Sequence, residues 1–469
     1  MAATSEMSSR SPDMKTSASS PCSTRARETS LSDVYERYLR LPEVLKLCSS
    51  KVYSDWKNET ILKPSLQALE ITFRLISISL SDPRPYANSW EWNRRLESLA
   101  AMEIEIIGAF CKEKEDSGGA PVADLRSSKG LLAPFRSSQE VWLLPGGGAA
   151  AVSQTSEESL LPRLATWEIS KSIASKIHFQ IESRMQDSPF TLGLGEPNLS
   201  GKAILMYDLV VRPSDLHSLK KSPFENLNNY ENQLLFTIHQ IFETWIAAAS
   251  EVAKRVVHRI DSLEWESAAT DCWLLERIWS LLLEIINLHL LMDPNDLLRL
   301  KGQLAIRATS GSEAFCFRSA ALRDLTTASV KELKQRVPQV LGAEADPSGA
   351  PILQQAAMRL FHCVRWGQED DRGKIHLLQG FQAVEAAVKR FYFGYRQVVT
   401  AALGSLEATS CRPPTVSPES GDALSLMFLE PPYFPSLDAA KTFLGELWQN
   451  EQRRSSTVSR SDGRCLAKK

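Results

Sequence analysis

The sequence lacks a cysteine framework, an excess charge of one sign, and any apolar run that could cross a bilayer. Its eight cysteines are scattered over 469 residues and none forms a C-x-x-C pair. Reduced thiols in an intracellular compartment are therefore expected, with no structural zinc. The formal net charge of −2 gives no bulk attraction to nucleic acid or to anionic lipid. The best candidate for a span, WSLLLEIINLHLLM (Trp279 to Met292), contains Glu284 and His289 and is too short to traverse a membrane. Nucleic-acid and membrane roles are both set aside. G-x-S-x-G, H-E-x-x-H and a paired-carboxylate constellation are missing as well, so no catalytic residue and no metal ligand is assigned.

What is present is helical. The apolar content of 43% is ample for an interior, and apolar residues recur at helical spacing from Leu31 onward. Strand signals are too sparse for an α/β sheet, so the expected class is all-α, a multi-helix bundle. Residues 1–30 are rich in Ser, Thr and Arg and are read as a disordered tail of a cytoplasmic protein. A Ser-rich start also suits chloroplast import, although Glu6, Asp13 and Glu28 count against it. An N-terminal helical region is expected over 31–200, interrupted at 114–159 by a Gly/Ser/Ala/Pro-rich flexible insertion on the surface. A C-terminal helical region follows over 201–450, and a second tail over 451–469.

Three local patterns invite a chemical reading. GLGEPNLSGKA has the look of a phosphate loop, but five residues separate Gly195 from Gly201, and Ala203 stands where a hydroxyl should hold magnesium. A structural turn is expected there. His239 shares a helical face with Leu235, Phe242 and Ile246, while Thr237, Gln240 and Thr244 lie opposite. That pattern predicts an inward histidine, hydrogen-bonded in the core. On the helix beginning near His376, the small residues Gly380, Ala383, Ala387 and Gly394 run beside an apolar seam, which predicts close approach of another helix.

Longer strings carry a resemblance. ILKPSLQALEITFRLISISLSDPRPY, EWNRRLESL, FTLGLGEPNLSGK, KIHLLQGFQAVEAAVKRFYFGYRQ and EPPYFPSLDAAKTFLGELW closely resemble the plant nematode-resistance-like HSPRO family, from about Leu31 to Trp448. The resemblance implies a non-enzymatic protein of basal defence and stress signalling. It also implies a partner, the regulatory subunit of the plant AMP-activated-type energy-sensing kinase complex. Within EPPYFPSL, the residues Pro431, Pro432, Tyr433 and Phe434 are the candidate docking surface.

A remoter similarity concerns the haem-dependent tryptophan dioxygenases. HQIFETW (His239 to Trp245) looks like their H-Q-x-[YF]-E-x-W string, and SGSEAFCFR (Ser310 to Arg318) is similar to their S-G-F-Q-S-x-Q-F-R segment. That likeness implies a dioxygenase-like helical fold and a candidate pocket formed by His239, Trp245, Arg318 and His376. His239 would sit near an aromatic metabolite, and Arg318 would bind its carboxylate. An axial histidine for iron is another matter. Only His362 and His376 follow Arg318, and AVEAAVKRFYFG has no histidine at the ligand place. The departures speak against haem, and no cofactor is expected. A metabolite sensor with a dioxygenase-like pocket is the alternative function, and an active haem dioxygenase a further one.

Overall fold

A computed structural model of the protein describes residues 35–84, 88–112, 118–123, 141–143, 149–151, 153, 156–223, 230–295, 319–343, 351–365 and 371–403. Helix α1 spans Leu41–Ser49, α2 Glu59–Leu80 and α3 Ser89–Phe110, the last opened by Asn88, whose side chain accepts from the Glu91 amide. Short helices α4 (Leu160–Thr166) and α5 (Lys171–Arg184) follow, then α6 (Tyr207–Val211) and α7 (Pro213–Ser218). Two long helices come next, α8 (Tyr230–Asp261) and α9 (Trp265–Asn287), and a 3-10 turn at Leu288–Leu291. Beyond them lie α10 (Ala320–Thr327), a π-helical turn (Ala328–Glu332), α11 (Leu333–Leu341), α12 (Pro351–Arg365) and α13 (Arg372–Leu403). The protein is all-α. Its strands amount to a three-stranded patch of very short strands, β1 (Val122–Ala123), β5 (Ala203–Leu205) and β4 (Phe190–Thr191), and one hairpin of β2 (Val141–Leu143) with β3 (Ala149–Ala151).

The centre is a layer of long helices. Helix α8 packs on both α2 and α9, and α9 packs along α13. α8 and α9 form an antiparallel hairpin whose turn places Leu263 at φ 62, with the Glu264 amide donating to the Arg259 carbonyl at 2.8 Å. α9 and α13, in contrast, run in the same direction. Gly373 lies against Trp265 and Glu266, Gly380 against Cys272, and Gly394 against Leu283. A Cβ at Gly380 would stand 2.8 Å from the Cys272 Cβ, so the small-residue row does allow the close approach its spacing predicts. Gly380→Val should lower the unfolding free energy by about 1–3 kcal/mol through overpacking, read as a lower denaturant midpoint. An unchanged midpoint would refute the tight seam.

Helix α2 shows how polar residues enter this interior. Nearly all of it is buried, including Lys63, Gln67, Glu70, Thr72 and Arg74, and each of these finds a partner. Lys63 Nζ donates to the Ser50 carbonyl at 2.6 Å and to Ser50 Oγ at 2.8 Å. Glu70 collects Ser159 Oγ at 2.7 Å, the Leu160 amide at 2.9 Å, the Tyr207 hydroxyl at 3.1 Å and His217 Nε2 at 2.8 Å. One carboxylate thus ties α4, α6 and α7 to the central helix. Cys48, Cys111 and Cys272 are buried free thiols, and burial pushes Cys48 and Cys111 up to about 12.

The Gly-rich loop after β4 is a structural turn built around its own carboxylate. Glu196, buried, accepts from the Gly193 amide at 2.8 Å, the Leu194 amide at 2.7 Å and the Thr191 hydroxyl. Gly193 and Gly195 supply φ of 80 and 92. The loop's amides are spent inside the protein: those of Gly193 and Leu194 on Glu196, that of Gly195 on Ser153 Oγ, and those of Gly201 and Lys202 on the Asn198 carbonyl and Oδ1.

The expected insertion covers residues 114–159. Its ends belong to the fold: β1 pairs with β5, and the Ser153 amide donates to the Glu196 carbonyl at 3.0 Å. The Ser156 amide donates to the Gly193 carbonyl, also at 3.0 Å. Gly119, at φ 81, approaches the Asp55 backbone so closely that a Cβ would meet it at 2.5 Å. A loop-rich composition hid these contacts because they are made by backbone groups, which any residue carries.

Candidate functional site

The HQIFETW string lies in the first half of α8, and every side chain in it is buried. The sequence placed Thr237, Gln240 and Thr244 on a polar face opposite His239. They too are inside, because α8 is covered on that side by α1, α2 and the residues before α1. Gln240 Nε2 donates to the Leu39 carbonyl at 2.8 Å, and its oxygen accepts from Arg74.

His239 stands in a continuous hydrogen-bonded chain. The Tyr35 hydroxyl lies 2.9 Å from His239 Nδ1 and 2.8 Å from Glu243 Oε1. On the other ring edge, His239 Nε2 is 3.2 Å from His289 Nε2, and His289 Nδ1 is 2.7 Å from the Ile286 carbonyl. Ser319 Oγ donates to Glu243 Oε2 at 3.0 Å while capping α10 through the Leu322 amide. Burial holds His239 well below the usual histidine range, helped by the neighbouring His289, and pulls His289 down to about 4. Burial also raises the Glu243 carboxyl to about 7. No lysine or arginine among the described residues pairs with that carboxyl.

Trp245 reaches a different partner. Its Nε1 donates to Glu103 Oε1 at 2.8 Å, beside Thr72 Oγ1 at 3.0 Å. His376 does not join the group. It is half-exposed and pairs with Glu266 at 3.1 Å, near the start of α9, whereas His289 follows the end of that helix. At 1.5 Å per residue the two are separated by about 34 Å along α9. Arg318 lies outside the described residues, as do Pro431, Pro432, Tyr433 and Phe434. The residue that follows Arg318 in sequence is Ser319, which bonds Glu243.

Both ring nitrogens of His239 are engaged by Tyr35 and His289, and the space beside it is filled by Phe242 stacked on Phe391. Among the described residues no group of three or more His, Cys, Asp or Glu gathers to hold a metal ion, and no helix is long and apolar enough to cross a membrane. Tyr35, Glu243, His289 and Ser319 are the members that sequence reading missed. Glu243 and His289 stood inside quoted strings. Tyr35 and Ser319 carried no signal, being distant in sequence from everything they touch.

The comparison with known families is decisive. The family described as Hs1pro-1 N-terminus matches residues 1–182, and that described as Hs1pro-1 protein C-terminus matches residues 185–450. The chain belongs to the Hs1pro-1 family. Two relatives in Arabidopsis thaliana show how complete the match is. Nematode resistance protein-like HSPRO2 is 47% identical over 433 residues, 92% of this chain and 91% of that protein. Nematode resistance protein-like HSPRO1 is 46% identical over 448 residues, 94% of each. No solved structure matches this Hs1pro-1 chain, so its likeness to the dioxygenase fold rests on the two short strings alone.

Proposed function

We propose that this chain is a non-enzymatic plant defence and stress-signalling protein, acting in the cytoplasm as a helical scaffold that docks an energy-sensing kinase complex through its regulatory subunit. The observation that carries the defence role is membership of the Hs1pro-1 family over nearly the whole chain, with relatives named as nematode-resistance-like. Support for a non-enzymatic role comes from the His239 cluster. Its donors and acceptors are satisfied by one another, as in a structural core. The docking residues in this reading are Pro431, Pro432, Tyr433 and Phe434. The test is titration of the purified kinase regulatory subunit with the full chain. Binding at micromolar concentration or tighter is expected, weakened more than tenfold in a Tyr433→Ala, Phe434→Ala double variant. No binding at that concentration would overturn the kinase partner while leaving the family assignment intact.

A further inference from the structure

The two family segments meet between residues 182 and 185, but the described residues pack across that point. Helix α2, from the first segment, is buried along nearly its whole length and packs on α8, from the second, more extensively than on its own neighbour α3. A helix buried all round must be covered all round, and the first segment supplies only part of that cover. Its polar side chains reach across as well. Gln67 Nε2 donates to the Val211 carbonyl at 3.3 Å, and Arg74 donates to the Leu216 carbonyl at 3.4 Å and to Gln240 Oε1. Gln67 and Arg74 are both buried, so loss of the second segment would strip each of these donors of its acceptor.

The crossing bonds run the length of α8. Tyr38 bonds Asn232, Tyr35 bonds His239 and Glu243, Trp245 bonds Glu103 of α3, and Arg255 bonds Asn58 just before α2. From Asn232 to Arg255 these anchors span about 35 Å of helix. Elsewhere β1 pairs with β5, and the Ser153 and Ser156 amides bond the 193–196 loop. Glu70 takes Ser159 and Leu160 from the first segment together with Tyr207 and His217 from the second.

We propose that the first segment is the obligate docking partner of the second, bound through the α2–α8 face by an interface that holds without the peptide link between them. Buried apolar packing threaded by buried hydrogen bonds is the make-up of a permanent interface. The link itself adds little. Gln186 and Asp187 are exposed, and the pair of Asp187 with Lys112 at 3.1 Å lies on the surface. The face of α8 turned to α2 is occupied in the native chain, and an outside protein must bind elsewhere.

A site-specific protease sequence inserted between Gln186 and Asp187 of the full chain tests this. After cleavage the two pieces should elute together from gel filtration at low micromolar concentration. They should unfold in urea in a single transition whose midpoint rises with protein concentration, whereas the uncut midpoint should not move with concentration. In the cut protein Arg74→Met should raise the dissociation constant by about tenfold or more, since Gln240 and the Leu216 carbonyl lose their donor. Arg94→Ala, which removes an exposed pair inside the first segment, should leave it unchanged. Pieces that separate, two transitions, a midpoint indifferent to concentration after cleavage, or an unchanged dissociation constant in Arg74→Met would each overturn the proposal. Should the insertion itself prevent folding, hydrogen exchange on the native chain decides. The slowest amides of α2 and α8 should then open with the same free energy, and protection that persists in one helix after the other has opened would refute a single interface.

Discussion

Asp271→Ala is expected to lower the unfolding free energy by about 3–5 kcal/mol. Asp271 is fully buried in α9 and receives two guanidiniums from the facing end of α8. Arg255 approaches it with Nε at 2.9 Å and Nη2 at 2.6 Å, in the two-pronged geometry that makes such pairs strong. Arg259 adds a contact at 3.1 Å and also donates to the Ser267 carbonyl at 3.0 Å. Arg255 further binds Asn58 Oδ1 at 2.7 Å, and Asn58 Nδ2 donates to the Phe110 carbonyl at 3.2 Å. The carboxylate therefore organises α2, α3, α8 and α9 at one point. Its removal strands two largely buried positive charges, which is why the effect exceeds that of a surface ion pair. Urea unfolding should show a reduced midpoint with an unchanged slope. A loss under about 1 kcal/mol would mean that the guanidiniums find water instead, and would sink this account of the α8–α9 hairpin.

Glu103→Gln should act in the opposite direction and only above acid pH. Burial raises the Glu103 carboxyl from 4.5 to about 8, against the lowering effect of the Trp245 and Thr72 bonds. A group with its folded value raised binds a proton on folding. Its burial therefore carries no penalty below the unfolded value of 4.5, and the penalty grows as pH rises toward 8. At 1.36 kcal/mol per unit, the native chain loses about 3 kcal/mol at pH 7 relative to a permanently neutral side chain. Glutamine has that neutrality and nearly the same shape, and its carbonyl can still accept from Trp245 and Thr72. The difference in unfolding free energy between variant and native chain should be near zero at pH 4.5 and about 3 kcal/mol in favour of glutamine at pH 7. A difference independent of pH would show that Glu103 is ionised in the folded protein.

Legibility from sequence differed by element. The long helices α2, α8, α9 and α13 could be read from apolar spacing, since one helix encodes its own period. The closeness of α9 and α13 was legible in Gly380 and Gly394. The inward position of His239 was legible for the same reason. The polar side of α8 misled, because a stripe of Thr237, Gln240 and Thr244 looks the same whether water or the α2 layer covers it. Grouping His376 with His239 failed for a related reason. A shared family string says nothing of which end of a helix a residue will face.

Sequence alone determined the all-α class, the near-neutral charge balance, the structural nature of the Gly193–Lys202 turn and the family. Each of these is carried by residue type and local order, which survive without a partner in view. Only the tertiary structure decided what His239 does. Its partners Tyr35 and His289 lie 204 and 50 residues away, and His289 is in turn fixed by a carbonyl at Ile286 that any residue would carry. Burial and bond direction are properties of the assembled core. They turned a histidine that looked fit for a pocket into one link of a closed chain.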